Sequence, residues 1–468
     1  MQISIIPGIY ADENADFRKQ YPRNLIPVAF DSGLSGAYLR PADGIVKLGT
    51  SSGPGADRGS INWNGTLYRV MGSKLVSVDS GGNFTIIGDV GGTDEQVSMD
   101  YSFTHLAVVS DGNLFLYDGT VFGQNTDPDL GAVYDVIYVD GYFMLTDYEY
   151  LIVTDLGNPY SVNPIKYGSS EVDPDPILGL LKIRNEPHAI NRHTIEVFQN
   201  IGGSDFPFQR VEGTRIDRGA IGTHAKCWFL GTVAFLGSGR NESPAIWLGI
   251  NADSNKISTR EIDQIFQEYT EEQLSQAVLK ARVDKNYRHL MIYLPDRVLV
   301  YDHNSSQSAQ KPIWHELTTS AVGLGRYEGL NPCWCYDKWV VANSSCCVGY
   351  WTDAVSTHWG QVNGWEFSTQ LLYNDSRGGI LHELELVALP GRVQLGLDPV
   401  VWTSWSNDGE TWSQERAISA GKQGERTKRL VWFQQGHFRN YRMQKFRGTS
   451  DAHISIGRLE AQLEGMMY

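Results

Sequence analysis

Between Lys422 and Arg447 the sequence carries eight bases, Lys422, Arg426, Lys428, Arg429, Arg439, Arg442, Lys445 and Arg447, against one acid, Glu425. Trp432, Phe433, Phe438, Tyr441 and Phe446 are interleaved with them. Cationic groups alternating with rings can hold phosphates while bases stack on the aromatics. The same composition anchors protein interfaces, where Arg and aromatic side chains carry most of the binding energy. A solvated strand face with its rings turned into a core is the plain alternative. An acidic remainder of the chain favours docking between neighbouring copies over nucleic-acid binding. The candidate subunit interface is therefore Lys422, Arg426, Lys428, Arg429, Trp432, Arg439, Arg442, Lys445 and Arg447.

Other chemistry-bearing patterns are weak. His315-Glu316 and His382-Glu383 begin like a zinc-protease motif but lack the second His that places two ligands on one helix face. Cys333, Cys335, Cys346 and Cys347 form no CxxC knuckle, and adjacent cysteines in a strand point to opposite faces. Cys227 reads as a small core residue. Asp173 and Asp175, in EVDPDPI, could serve glycoside chemistry, yet the two prolines indicate an extended, solvated loop. The segment WSNDGETW, Trp405–Trp412, is close to the Asp-box turn of sialidase-like propellers, with Gly409, Thr411 and Trp412 in place. Trp405 and Asn407 replace its Ser and Asp. That box is a turn device and carries no chemistry. No nucleophile elbow, Walker loop or dinucleotide fingerprint occurs in the sequence, so the reading is a non-enzyme with no catalytic residue, cofactor or metal.

The charge is unevenly placed. Of 39 Lys+Arg and 54 Asp+Glu, residues 361–468 hold 12 of each, so the whole net charge of −15 lies in residues 1–360. An acidic front half cannot gain phosphate affinity by counterion release. Five cysteines, an odd number, and an N-terminus without a basic, apolar leader indicate reduced thiols and synthesis in a cytoplasm. No apolar run reaches the roughly 18 residues of a membrane helix.

The elements that position these residues read as strands. Asn64-Gly65, Asp111-Gly112 and Asp140-Gly141 punctuate runs such as TLYRV, HLAVVS and NLFLYD, and Asn-Gly or Asp-Gly supplies the positive φ of tight hairpin turns. HLMIYL-PD-RVLVYD is another hairpin, bent at Pro295-Asp296. Units recur about every 40 to 50 residues, the period of propeller blades. A six- or seven-bladed ring is expected, with a multi-sheet sandwich as the alternative. Helix is expected near 258–283: Ser258–Glu261 reads as a capping box, Thr270–Gln273 as a second, and Ile262, Ile265, Phe266 and Tyr269 form an apolar stripe. Acidic outer faces argue against a DNA-reading helix pair. The chain is thus mainly β: an N-terminal segment 1–60 leading into a β-propeller at 61–360, then a C-terminal β-sandwich-like module at 361–468.

Several strings together resemble the packaged-DNA stabilisation proteins, or tail accessory factors, that form the hub or nozzle of short-tailed bacteriophages. They are YTEEQLSQAVLKARVDKNYRHLMIYLPDRVLVYD, GAYLRPADGI, GTLYRVMGSKLVSVD, HTIEVFQNIGG, RGAIGTHAKC and TKRLVWFQQGHFRNYRMQKFRG. They are spread in order from about Asp16 to Arg447, and no pattern is assigned to 160–175 or 303–312. The resemblance implies a β-propeller elaborated by β-modules, assembled as a homohexamer below the portal–adaptor complex. Its implied partners are the tail needle, a tailspike or tail fibre, and packaged double-stranded DNA that passes without sequence-specific contacts. The implied place is the virion tail, assembled in the host cytoplasm. A carbohydrate-binding or glycosidase-type propeller and a monomeric scaffold or adhesin are the other function classes.

Overall fold

The computed structural model describes residues 2–3, 5, 21–29, 37–170, 172–203, 205–250, 252–284, 287–369, 372–374, 378–408 and 411–465. The start of the hub resemblance at 16–20, and Gly409 of the box-like turn, fall outside them.

Strand hairpins closed by tight turns build the first module. Asn64 and Gly65 have φ of 52° and 80°, Asp111 and Gly112 50° and 73°, and Asp140 and Gly141 49° and 89°. These are the type I′ values that match the twist of paired strands. Among the described residues, seven antiparallel sheets follow one another at 57–89, 98–124, 135–169, 177–210, 219–256, 278–317 and 330–352. The inner strands of successive sheets touch in turn, Lys226–Phe229 serving in the fifth, and Leu330–Cys335 of the last returns to Asp57–Trp63 of the first. The ring is a seven-bladed propeller. Its seventh blade takes its outermost strand, Gly44–Lys47, from upstream of the first blade, pairing antiparallel with Val348–Thr352. The two ends of the ring are therefore stitched by backbone hydrogen bonds.

The propeller core is seven separate apolar clusters, one in each cleft between neighbouring blades. Middle strands are buried on both faces, as in Leu106–Ser110. That explains runs such as LAVV, which do not show the apolar–polar alternation of a one-faced sheet. The cleft between blades five and six also holds α1 (Arg260–Gln267) and α2 (Glu271–Ser275), which bury Ile262, Phe266 and Leu274 there. The second expected capping box is present on Thr270 and Gln273. The first is absent: the N-cap is Thr259, which makes no side-chain cap and whose hydroxyl meets the Tyr21 hydroxyl at 3.1 Å, while Ser258 accepts from Ile246 N at 3.1 Å and donates to Asp263 at 2.6 Å. A third helix, α3 (His303–Ala309), occupies part of the stretch that carried no sequence pattern; Asp302 caps it by accepting from the Ser305 amide at 3.1 Å.

The second module packs a six-stranded sheet against a five-stranded one, around a core that includes Trp365, Phe367, Trp432, Phe446 and Ile456. Residues 1–60 are divided between the modules. Gln2–Ile3, Leu25–Ala29 and Ala37–Pro41 lie in the six-stranded sheet, whereas Gly44–Lys47 and the start of Asp57–Trp63 lie in the ring. At the crossing, Arg23 bridges Glu316 of blade six and Glu366 of the sandwich, and its guanidinium pairs with Glu366 at 3.0 Å. Asn24, with φ of 53°, donates to Thr318 O at 2.9 Å and Gly364 O at 2.7 Å, and accepts from Thr318 N at 3.0 Å. One buried amide thus holds both modules.

Candidate interaction surface

The basic segment is divided between the two sheets of the sandwich. Leu430–Phe438 is the edge strand of the six-stranded sheet, and Tyr441–Thr449 is an inner strand of the other, paired with Gly364–Ser368 and Val400–Ser406. The eight cations therefore do not form one face.

Two of the nine candidates are inside. Trp432 is 2% exposed, packs on Phe446 and donates its indole N–H to Arg416 O at 3.1 Å. Arg442 is fully buried, lies 4.7 Å from the Trp405 ring centre, and bonds Gln444 and the Gln435 carbonyl. Burial, reinforced by Arg416, lowers its pKa to about 10. Neither can touch a partner of the folded module; both are corrected to structural residues. A strand in the middle of a sandwich alternates inward and outward, and these positions are the inward ones.

Four more are engaged within the chain. Arg429 pairs with Glu383 and Glu385, which holds its pKa up. Lys428 donates to Ser419 Oγ at 2.7 Å and lies 3.6 Å from Glu425. On the outer face of the five-stranded sheet, Arg447 pairs with Glu415 over the Trp402 ring, and Lys445 sits 4.2 Å from the Trp412 ring centre. Lys422, Arg426 and Arg439 are exposed, with no ion pair among the described residues.

The box-like turn lies in this sandwich rather than in a blade. Asp408, not Asn407, does the bonding: its Oδ1 accepts from Thr411 N at 2.7 Å and Ser406 Oγ at 2.8 Å. Asp173 pairs with Arg240 at 2.5 Å, and Asp175 accepts from His193 N at 2.6 Å, so both acids brace a loop. The cysteines are free thiols, and no group of three His, Cys, Asp or Glu among the described residues is placed to hold a metal ion.

Sequence reasoning missed the polar seam of the ring. Arg69, fully buried on the second strand of blade one, pairs with Asp57 at 2.7 Å and reaches across to Asn331 O and Val340 O of blade seven, each at 3.0 Å. Asn331 returns a bond to Asp57 at 2.9 Å. Burial pushes the Asp57 carboxyl up, and Arg69 opposes that shift. Lys226 pairs with buried Asp135 at 2.6 Å. Burial lowers the Lys280 ammonium and raises the Cys227 thiol to about 12 and the Cys333 thiol to about 11. An Arg inside TLYRVM was the available signal, since a base at an inward position needs a buried acid.

One end of the ring opens into a cavity of about 840 Å³ lined by residues of all the blades, among them Asp94, Glu95, Asp111, Tyr134, Tyr148 and Arg326. The two tyrosines stack with centres 4.0 Å apart.

The family described as "Bacteriophage P22 Gp10, beta-propeller" matches residues 1–356, and "Bacteriophage P22 Gp10, beta-sandwich" matches residues 364–464. The chain belongs to the P22 Gp10 family. The tail hub protein gp10 of Salmonella phage P22 is 26% identical over 491 residues, covering 99% of each chain. The two-module fold of the Gp10 family is the one found here, propeller first and sandwich second. Among solved structures, the N-terminal domain of Nup159 (8% identity, 70% of this chain and 97% of that one, TM-score 0.41) shows some likeness. So does the Neurospora crassa Pan2 WD40 domain (10% identity, 66% and 95%, TM-score 0.41). Both are too distant to carry an argument.

Proposed function

We propose that this chain is a structural tail hub of a short-tailed phage. Six copies form a ring below the portal–adaptor complex, close the channel after DNA packaging, and support the tail needle and the spikes or fibres. The observation that carries this reading is the match of both modules, in order and nearly end to end, to one tail-hub family. The charge distribution supports it. An acidic ring repels DNA weakly over a Debye length of about 8 Å at physiological salt, so duplex slides through without sequence-specific binding. Retention then rests on steric closure and subunit contacts. The exposed bases Lys422, Arg426 and Arg439, with the partly engaged Lys428, Arg429, Lys445 and Arg447, are the part of the candidate surface left for a neighbour. As a working division, 61–360 is the propeller unit and 361–468 the sandwich unit, with 1–60 shared between them. The role is mechanical, so no catalytic residue is assigned.

The test is reconstitution of the purified chain with the portal–adaptor complex, read by negative-stain electron microscopy and mass measurement. Six copies recruited per complex support the hub. A monomer indifferent to the adaptor refutes it, and a glycan array then tests a sugar-binding propeller.

A further inference from the structure

The acidity of the ring is local. Residues 94–175, which are blades two and three with the loops at their ends, hold 15 Asp+Glu and one base, Lys166. That segment carries −14 of the chain's −15. Residues 1–93 hold eight bases and eight acids, 176–360 hold 18 and 19, and 361–468 hold 12 of each. Turn-making does not require this charge. Asp118, Asp127 and Asp147 accept backbone N–H bonds in turns. Asn125, Asn158 and Asn163 close the same kind of turn beside them without charge.

Bases do little to neutralise the sector. Lys166 is tied to Asp155 at 2.6 Å. Lys182, Lys226 and Arg240 of blades four and five reach Asp100, Asp135 and Asp173, and Arg58 lies near Asp94, Glu95 and Asp111. Asp118, Asp127, Asp129, Asp140, Asp147 and Glu149 have no ion pair among the described residues. The same blades expose Phe103, Val121, Leu156 and Ile165, and none of these side chains offers a phosphate a donor. Blade one adjoins without a free base, since Arg58 and Arg69 are buried and Lys74 pairs with Asp89. Elsewhere bases stand exposed with no ion pair among the described residues. They include Arg184 on blade four, Lys311 on blade six, Lys47 and Lys338 on blade seven, and Lys422 and Arg426 on the sandwich.

The geometry points to a DNA-facing wall: in the hub, each copy turns blades two and three toward the channel, where duplex DNA passes without being held. This rests on the hub reading and adds the orientation which that reading leaves open. In a closed ring every copy presents the same sector to the axis, so a base placed there is repeated in every copy. Duplex DNA carries one negative charge per about 1.7 Å, and the Lys and Arg that meet it release counterions and bind. A sliding duplex therefore needs a wall free of unpaired bases, and blades two and three are the strongly acidic sector that meets this need. A neighbouring copy is the poorer occupant. Its other segments sum to 0, −1 and 0, so none supplies the positive charge to match.

Asp129 and Glu149 are exposed, and their carboxylates hold no hydrogen bond or ion pair among the described residues, so reversing them leaves the fold intact. Particles assembled with the Asp129→Lys, Glu149→Lys hub release DNA about tenfold more slowly than wild type at about 50 mM salt, read by a DNA-binding dye. At about 200 mM salt the difference falls to about twofold, because the added contacts act through counterion release. The control Glu212→Lys, Glu272→Lys, which reverses exposed acids outside the sector, releases at the wild-type rate. Independently of any variant, a reconstruction of the wild-type ring places blades two and three nearest the axis. Another sector nearest the axis, wild-type release from the double variant at low salt, or an equal delay in the control each overturns the inference and leaves the hub reading standing. A double variant that folds yet no longer joins the ring overturns it too, since the sector is then a protein contact. A wild-type chain that forms no ring on the adaptor overturns both.

Discussion

Replacing Arg69 by Met should open the seam where the propeller closes on itself. The guanidinium is fully buried and donates to Asp57 at 2.7 Å and to the carbonyls of Asn331 and Val340 at 3.0 Å. Met fills much of the volume but leaves the Asp57 carboxylate with Asn331 as its one side-chain donor among the described residues. Removing one partner of a buried pair costs about 3–5 kcal/mol, because the other charge stays buried. With an m value of about 3 kcal/mol per molar urea, that lowers the unfolding midpoint by roughly 1–1.7 M. Tryptophan fluorescence in a urea titration reads it directly. Burial alone raises the Asp57 pKa, so the folded variant binds its proton more tightly than the unfolded chain does. The stability of the protonated form is present at low pH and is lost as pH rises toward the folded pKa. The deficit relative to wild type is therefore larger at pH 7.5 than at pH 5. Combining Arg69→Met with Asp57→Asn removes the stranded charge and recovers part of the loss. A single variant whose midpoint lies within 0.2 M of wild type, an order-of-magnitude threshold below the expected shift, would refute the closure argument.

Asn24→Ala strips three buried hydrogen bonds from the junction, at about 2–4 kcal/mol. Limited proteolysis should then cut within 354–363 well before wild type does. The buried imidazoles of His315 and His358 are held to a pKa of about 3 by loss of solvation. Each makes folding less favourable as pH falls below about 6.5, by roughly 2 kcal/mol at pH 5. Denaturation at pH 7.5 and 5 checks this, and His358→Asn should remove about half of the combined effect. Ile45, fully buried on the closing strand, should cost about 2–5 kcal/mol as Ala and lower the melting temperature of the propeller.

The hairpins were legible because their turns are written in Asn-Gly and Asp-Gly, whose left-handed backbone angles few other pairs adopt without strain. The ring itself was less legible. Blade strands are buried on both faces, which erases alternation, and ring closure depends on Gly44–Lys47, some 300 residues away from its partner. The eight-cation cluster was visible as composition but not as geometry. A tight connection at Arg439-Asn440 sends its two strands into opposite sheets, burying Arg442 and Trp432 while Lys422 and Arg426 stay outside. The capping box at Ser258 failed because tertiary partners took both hydroxyls: Ser258 accepts from Ile246 N, and Thr259 meets the Tyr21 hydroxyl.

The most direct measurement is a cryo-electron reconstruction of the chain bound to its phage's portal–adaptor complex. The account predicts six propeller-plus-sandwich copies in one ring immediately below the adaptor, coaxial with the DNA channel. Density for this chain away from that axis, or at a copy number that does not close a ring, would contradict it.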